Sequence, residues 1–196
     1  AANYKDYVLP VMFLKYLSDS YADAVEALSK QYSGIRLERQ KKYLPFMVAE
    51  GCSFYDLYKQ RFADNIGQLI NAAMRQIEAD NNQQLAGVLS SVDYNSENAL
   101  GTREHKNAIL RDLLEDFEPL NLRPSVIEVK EGQVPADVIG DAYEYMIGQF
   151  ASMAGKKAGS FYTPAAVSEI MARIVNVQPG ERVYDPTCGS GSLLIK

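Results

Sequence analysis

The chain has 196 residues, 47% of them hydrophobic, with a net charge of −5, which allows one large domain or one domain and part of another. No apolar run approaches the ~20 residues of a membrane span and no signal peptide opens the chain, so no membrane role is expected and the cytoplasm is the expected compartment. The acidic balance argues against a protein that grips nucleic acid with its whole surface, because counterion release requires clustered Lys and Arg, and any DNA contact must be local.

The first pattern is amphipathic: Tyr7, Val11, Leu14, Tyr21, Val25 and Leu28, widened by Phe13 and Leu17. It predicts a long helix with Pro10 near its start. The chain opens without methionine and runs directly into this helix, which suggests that upstream sequence is missing. A basic cluster follows, Lys30, Arg36, Arg39, Lys41 and Lys42, opposed by Glu38 and flanked by Tyr32 and Tyr43. It reads either as a solvated helix face or turn, or as a local contact with DNA or protein. Phe46, Phe54, Tyr55, Leu57, Tyr58 and Phe62 then make an aromatic-rich stretch whose role is packing, with no acid/base constellation.

Asp64 is placed to cap a second helix with Ile66, Leu69, Ile70, Ala73, Met74 and Ile77 on its core face. After a polar turn from Asp93 to Gly101, a third face follows in Ile109, Leu110, Leu113, Leu114 and Phe117. Several such faces meeting make a helical bundle. Cys52 and Cys188 lack metal-ligand spacing and His105 is the one histidine, so no metal site is expected, and Cys52 and His105 read as structural.

Between Pro119 and Pro135 the pattern breaks, with Pro124 and Gly132 inside the stretch and an extended-looking Ser125-Val-Ile-Glu-Val129. A domain boundary is expected near residue 130, giving domains 1–130 and 131–196. Asp137 to Ser152 is helical, with Ile139, Tyr143, Met146 and Phe150 on one side. A Gly155-Lys-Lys-Ala-Gly159 loop follows, in which Lys156 and Lys157 are further candidates for phosphate contact. A helix over 164–176 should carry Val167, Ile170, Met171 and Ile174 inward. The Pro179-Gly180 turn signal leads to a short strand, Arg182 to Asp185. Pro186 stops it, and Gly189-Ser-Gly191 opens into the helix start Leu193-Leu194-Ile195.

A strand, a glycine loop and a helix start bring free backbone amides to the carboxyl edge of a parallel sheet, where small anionic ligands bind. A third glycine at 194 is absent, Leu194 standing there, so this is not a dinucleotide fingerprint. The lysines of 155–160 precede the second glycine, so that stretch is not a P-loop. What remains is Asp185-Pro186-Thr187-Cys188-Gly189-Ser190-Gly191, preceded about twenty residues earlier by Ser160-Phe161-Tyr162-Thr163-Pro164. Each alone is weak: Thr163-Pro164 reads equally as an ordinary helix start, and Phe161 and Tyr162 read equally as core aromatics.

Together, in this order, the two motifs resemble the modification (methylation) subunits of type I restriction-modification enzymes, which methylate adenine at N6 in DNA. Leu9-Pro-Val-Met-Phe-Leu-Lys-Tyr-Leu-Ser-Asp19 is similar to that family's first helix; the resemblance is weakest over about residues 30–100. It implies a mainly α architecture: a helical-bundle N-terminal domain, then the truncated start of a Rossmann-like α/β methyltransferase domain. It implies S-adenosyl-L-methionine as cofactor, enclosed by Ser160, Phe161, Tyr162, Thr163 and Pro164 with Asp185, Pro186, Thr187, Cys188, Gly189 and Gly191. It implies DNA, a specificity subunit, a restriction subunit and a second modification subunit as partners. The physical reading agrees. Thr163 with Pro164 can receive the cofactor carboxylate, Asp185 suits its ammonium, and Gly189 and Gly191 let backbone approach without a Cβ.

The acceptor-base loop of such enzymes, Asn/Asp-Pro-Pro-aromatic, is absent, so no catalytic residue is assigned. No acidic residue for the cofactor ribose follows the glycine loop. The chain is therefore expected to be an N-terminal fragment, inactive alone. A methyltransferase with a protein or small-molecule substrate, and a non-catalytic helical module docking a specificity subunit, remain as alternatives.

Overall fold

The computed structural model describes residues 4–129, 131, 134–153, 163, 165–188 and 192–195. The described residues form α1 (Tyr4–Ser29), α2 (Gly34–Lys41), α3 (Phe54–Lys59), α4 (Ile66–Asp80), α5 (Asn82–Leu85), α6 (Glu97–Leu100), α7 (Arg103–Phe117), α8 (Pro135–Met153), α9 (Ala165–Val175) and α10 (Ser192–Ile195). No strand occurs among them. The chain divides into two compact units, Ala1–Ile139 and Gly140–Lys196, with the division inside α8.

In the first unit α1, α3, α4 and α7 pack on one another. Leu9, Val11, Met12, Leu14 and Leu17 of α1 meet Phe54 and Leu57 of α3. Ile66, Ile70, Ala73, Met74 and Ile77 of α4, and Leu110, Leu114 and Phe117 of α7, complete the core. The expected faces of α1, α4 and α7 thus meet as a bundle, each fully buried Leu or Ile contributing ~1.5–3 kcal/mol.

The helix starts are set by local chemistry. Ser53 caps α3 as a capping box: its hydroxyl accepts from the Asp56 N–H at 3.2 Å, and the Asp56 carboxylate accepts from the Ser53 N–H at 3.3 Å. At α7 the cap is Thr102, whose Oγ1 accepts from the His105 N–H. Asp64 does not cap α4 as expected. Asn65 is the N-cap residue, with no side-chain bond, and the Asp64 carbonyl accepts instead from Asn107 of α7 at 2.9 Å.

Loops are tied to the bundle by polar side chains. Asn81, after α4, accepts from the Met47 N–H at 2.8 Å and donates to the Met47 carbonyl at 2.8 Å, pinning the segment that follows α2. Glu78 accepts from the N–H groups of Leu89 and Ser90 and from the Ser90 hydroxyl, at 2.6, 2.8 and 2.6 Å. Burial opposes ionisation of Glu78, but these bonds outweigh it and hold its carboxyl below the ordinary value. Tyr94, fully buried, donates to the Tyr7 carbonyl at 2.7 Å and meets the Tyr7 ring edge-on at 5.4 Å. That carbonyl adjoins the one that Pro10, lacking an N–H, leaves without a helical partner. Gly67 of α4 lies under the Tyr94 carbonyl, and a Cβ there would collide with the backbone.

The aromatic stretch holds more than packing. Lys15 and Asp19, one turn apart on α1 and both with fully buried side chains, form an ion pair at 3.2 Å. The Tyr55 hydroxyl bonds both groups, and Lys15 lies 4.2 Å from the Tyr55 ring centre. Burial, then the bond to Asp19, pushes the Tyr55 phenol well above its ordinary range. The second oxygen of Asp19 accepts from the Leu122 N–H at 2.8 Å. Farther along α1, Asp23 accepts from the Ser125 N–H and hydroxyl at 2.8 and 2.7 Å, and Glu26 pairs with Arg123 at 3.0 Å. The proline-broken segment is thus bound along α1 rather than extended. Residues 124–126 form a turn where an extended run was expected: the N–H groups of Val126 and Ile127 donate to the Arg123 carbonyl at 3.0 and 3.2 Å, and Asp23 takes the polar groups of Ser125.

Candidate functional site

The second unit, Gly140–Lys196, contains the motif residues. α9 is followed by Asn176, a left-handed residue with φ 50° whose N–H donates to the Ala172 carbonyl at 2.9 Å, a conformation Asn tolerates at helix ends. The Pro179-Gly180 signal is a turn. The Glu181 N–H donates to the Gln178 carbonyl at 3.0 Å and Gly180 has φ 93°, as a type II turn with Pro second and Gly third requires. The Glu181 carboxylate accepts from the Gln178 N–H at 2.9 Å and holds the turn from its other side.

After this turn the expected strand does not form. Arg182 to Asp185 are irregular, and Val183 and Tyr184 are exposed. A strand exists only when paired, and no described residue offers it a ladder. The expected inward face of α9 is corrected for a related reason. Val167, Ile170, Met171 and Ile174 are exposed, Ile174 at 77%, while Ser168 is fully buried. An amphipathic stripe identifies which side is apolar, and burial follows only where another element lies on it.

Asp185 ends the irregular run in a side-chain turn. Its Oδ1 accepts from the Thr187 N–H at 2.9 Å and the Thr187 hydroxyl at 3.3 Å. Its second carboxylate oxygen has no hydrogen bond among the described residues. A carboxylate held by one oxygen and open at the other fits a ligand ammonium. Pro186 and Thr187 are exposed, and Cys188 is an exposed free thiol. α10 then forms at Ser192–Ile195, where a helix start was expected, and packs on α9. Between α9, residues 183–186 and α10 lies an open cleft of about 830 Å³, and Asp185 stands on its wall.

Of the other expected site residues, Thr163 is half-buried before α9, without a hydrogen bond to Asp185 among the described residues. Ser160, Phe161, Tyr162, Pro164, Gly189 and Gly191 lie outside the described residues, as do Lys156 and Lys157. Among the described residues no His, Cys, Asp or Glu cluster could hold a metal, and no helix is long and apolar enough to cross a membrane.

The protein family described as the HsdM N-terminal domain matches residues 1–117, more than half of the chain. The chain belongs to this family, that of type I restriction-modification methylase subunits. Residues 134–196 match the family described as N-6 DNA Methylase. The type I restriction enzyme MjaVIII methylase subunit of Methanocaldococcus jannaschii is 29% identical over 96% of the chain and 31% of the relative. For the MpnII methylase subunit of Mycoplasma pneumoniae the figures are 27%, 99% and 40%. The crystal structure of a type I restriction-modification system methyltransferase subunit from Streptococcus thermophilus superposes with a TM-score of 0.65 at 27% identity, over 98% of this chain and 44% of that one. The chain thus spans about a third to two-fifths of the length of these curated relatives.

The bundle of this methylase-subunit chain is matched as a unit by the family's N-terminal domain. The Lys15–Tyr55–Asp19 cluster within it escaped sequence reading. Lys15 and Asp19 sat at i and i+4 on α1, a helical ion-pair spacing, but nothing local linked Tyr55 to them.

Proposed function

We propose that this chain is the N-terminal part of a modification subunit that transfers a methyl group from S-adenosyl-L-methionine to adenine N6 in a specific DNA sequence. The observation that supports it most is the match of residues 134–196 to the N-6 DNA Methylase family, since that stretch holds both Ser160 to Pro164 and Asp185 to Gly191. The domain boundary belongs near residue 130, between the two matched stretches. Residues 131–196 are read as the opening of a Rossmann-like domain in which Arg182 to Asp185 would pair as a strand once a neighbouring strand is supplied.

When bound, the cofactor supplies an electrophilic methyl group on a sulfonium centre. The chain's own residues bind and orient it. The second oxygen of Asp185 would accept from the ammonium, while Thr187 holds the first. Thr163, an N-cap residue type before a proline, would receive the cofactor carboxylate. Ser160, Phe161 and Tyr162 would enclose the methionine part together with Pro186, Thr187, Cys188, Gly189 and Gly191, the two glycines offering no Cβ against a ligand. The adenine-holding residues lie outside this sequence, so the chain alone transfers no methyl group. In the assembled enzyme DNA is read by a specificity subunit flanked by two modification subunits, and a restriction subunit can join, in the cytoplasm.

Calorimetric titration of the full-length subunit with S-adenosyl-L-methionine tests the assignment. Asp185→Ala, which strands the ammonium, and Gly189→Val, which puts a branched Cβ against the ligand, should abolish binding. Thr163→Ala should weaken it by about 1 kcal/mol. Wild-type affinity in Gly189→Val would remove the loop from the site.

A further inference from the structure

α2 is an eight-residue helix with no buried residue. At about 3.6 residues per turn, Leu37, Gln40 and Lys41 fall on one side, and these are its half-buried residues. Ile35, Arg36, Arg39, Lys42 and Tyr43 fall together on the other. Arg36, Arg39 and Lys42 are exposed, as are Ile35 at 76% and Tyr43 at 83%. Lys42 has helical backbone angles and the Tyr43 N–H donates to the Gln40 carbonyl, so the face continues past the last helical residue.

The cations of this stretch divide into two kinds. Lys30 pairs with Glu26 at 3.6 Å and Lys41 with Glu38 at 2.7 Å. Arg36, Arg39 and Lys42 make no ion pair or hydrogen bond among the described residues. Glu38, the acid within α2, lies at the flank of this face one turn before Lys42, and its carboxylate is taken by Lys41. In a chain of net charge −5, this is a helix face with three cations unpaired among the described residues, and the one carboxylate at its edge, Glu38, is paired with Lys41. Spacing of three residues at about 1.5 Å rise sets them along roughly 9 Å of helix, within reach of successive phosphates on one strand.

We propose that this α2 face docks on the sugar-phosphate backbone of duplex DNA, with Arg36, Arg39 and Lys42 neutralising phosphates. The Tyr43 hydroxyl is placed to donate to a phosphate oxygen, and Ile35 to lie against deoxyribose. Two arginines favour phosphate, whose oxygens accept their paired N–H groups. Ile35 and Tyr43 stand at the two ends of the stripe and the residues between them on this face are cationic, which suits a polyanion. The contact reads no bases; it rests on the proposed function only in naming DNA as the polyanion.

The test uses nitrogen-15 NMR of this chain at low salt, without cofactor, so that its result does not depend on methyl transfer. A short duplex of arbitrary sequence should shift the amides of residues 34–43. The logarithm of affinity should fall with the logarithm of salt concentration with a slope of about 2.7, from roughly 0.9 per phosphate contacted. Combining Arg36→Gln, Arg39→Gln and Lys42→Gln should bring that slope near zero with an unchanged melting temperature. Arg36→Lys with Arg39→Lys should keep it, because the charge is kept. The proposal is overturned if the duplex leaves these amides unmoved, if polyglutamate of equal charge moves them as strongly, or if the triple glutamine variant keeps the wild-type slope.

Discussion

Two stretches of comparable apolar patterning reach different ends in this chain. In α4 every third or fourth residue is apolar, and Ile66, Ile70, Ala73, Met74 and Ile77 are buried against α7 and α3. In α9 the same spacing places Val167, Ile170, Met171 and Ile174 together, and all four are exposed. The stripe is a property of the helix; burial belongs to the element that lies across it. The first unit supplies such elements from its own sequence, and it adds buried polar ties at Asp19 and Asn81 that hold its connections in place.

The sharpest way to break this contrast is at the Lys15–Asp19 pair. Asp19→Ala leaves a buried ammonium without its carboxylate and frees the Leu122 N–H, and should cost the first unit about 3–5 kcal/mol in urea unfolding. Ile70→Ala removes a fully buried side chain of α4 and should cost about 2–5 kcal/mol. A loss below ~1 kcal/mol would show that the α4 face is not part of a packed core. Gly67→Ala forces a Cβ onto the Tyr94 backbone and should cost about 1–3 kcal/mol, read as a lower melting temperature. If instead it stabilises, as alanine does in an open helix, the close approach of Tyr94 is wrong.

A smaller effect comes with acid. Glu78, Asp56 and Asp93 are all held below their ordinary carboxyl values, which are 4.5 for Glu78 and 3.8 for the two aspartates. A depressed folded-state value means that the unfolded chain takes up the proton first. The stabilisation is therefore fully present above pH ~4.5 and is lost as the pH falls through the lowered values. Glu78→Gln should flatten part of that acid slope in denaturation curves taken across this range. The smallest effect belongs to α9: Ile174→Ala should change the stability of this chain by no more than about 0.5 kcal/mol.

What was legible in the sequence follows the same division. The faces of α1, α4 and α7, the turn at Pro179-Gly180 and the helix start at Leu193 are local signals, and each appears where its residues predict it. α2, α3, α5 and α6 were not separated because they are four to eight residues long, too short for periodicity to show. The capping box at Ser53 was the one local sign of α3. Asp64 misled because the helix begins one residue later than its side chain would set it: Asn65 takes the N-cap position, and the Asp64 main-chain carbonyl accepts from Asn107. The bonds from Tyr55 and Leu122 to Asp19 join residues far apart in the chain, and no spacing rule announces them. At the candidate site, Asp185 is singled out in the sequence for its acceptor chemistry, and its side-chain turn with Thr187 is a local feature that the Asp-Pro-Thr run itself makes.

The most direct measurement is of the product. The full-length subunit, assembled with its specificity subunit and supplied with S-adenosyl-L-methionine carrying a labelled methyl group, should yield N6-methyladenine as the labelled nucleoside in digested DNA, and Asp185→Ala should yield none. Label in methylcytosine or in protein instead of adenine, or an Asp185→Ala enzyme that methylates adenine at the wild-type rate, would contradict the account.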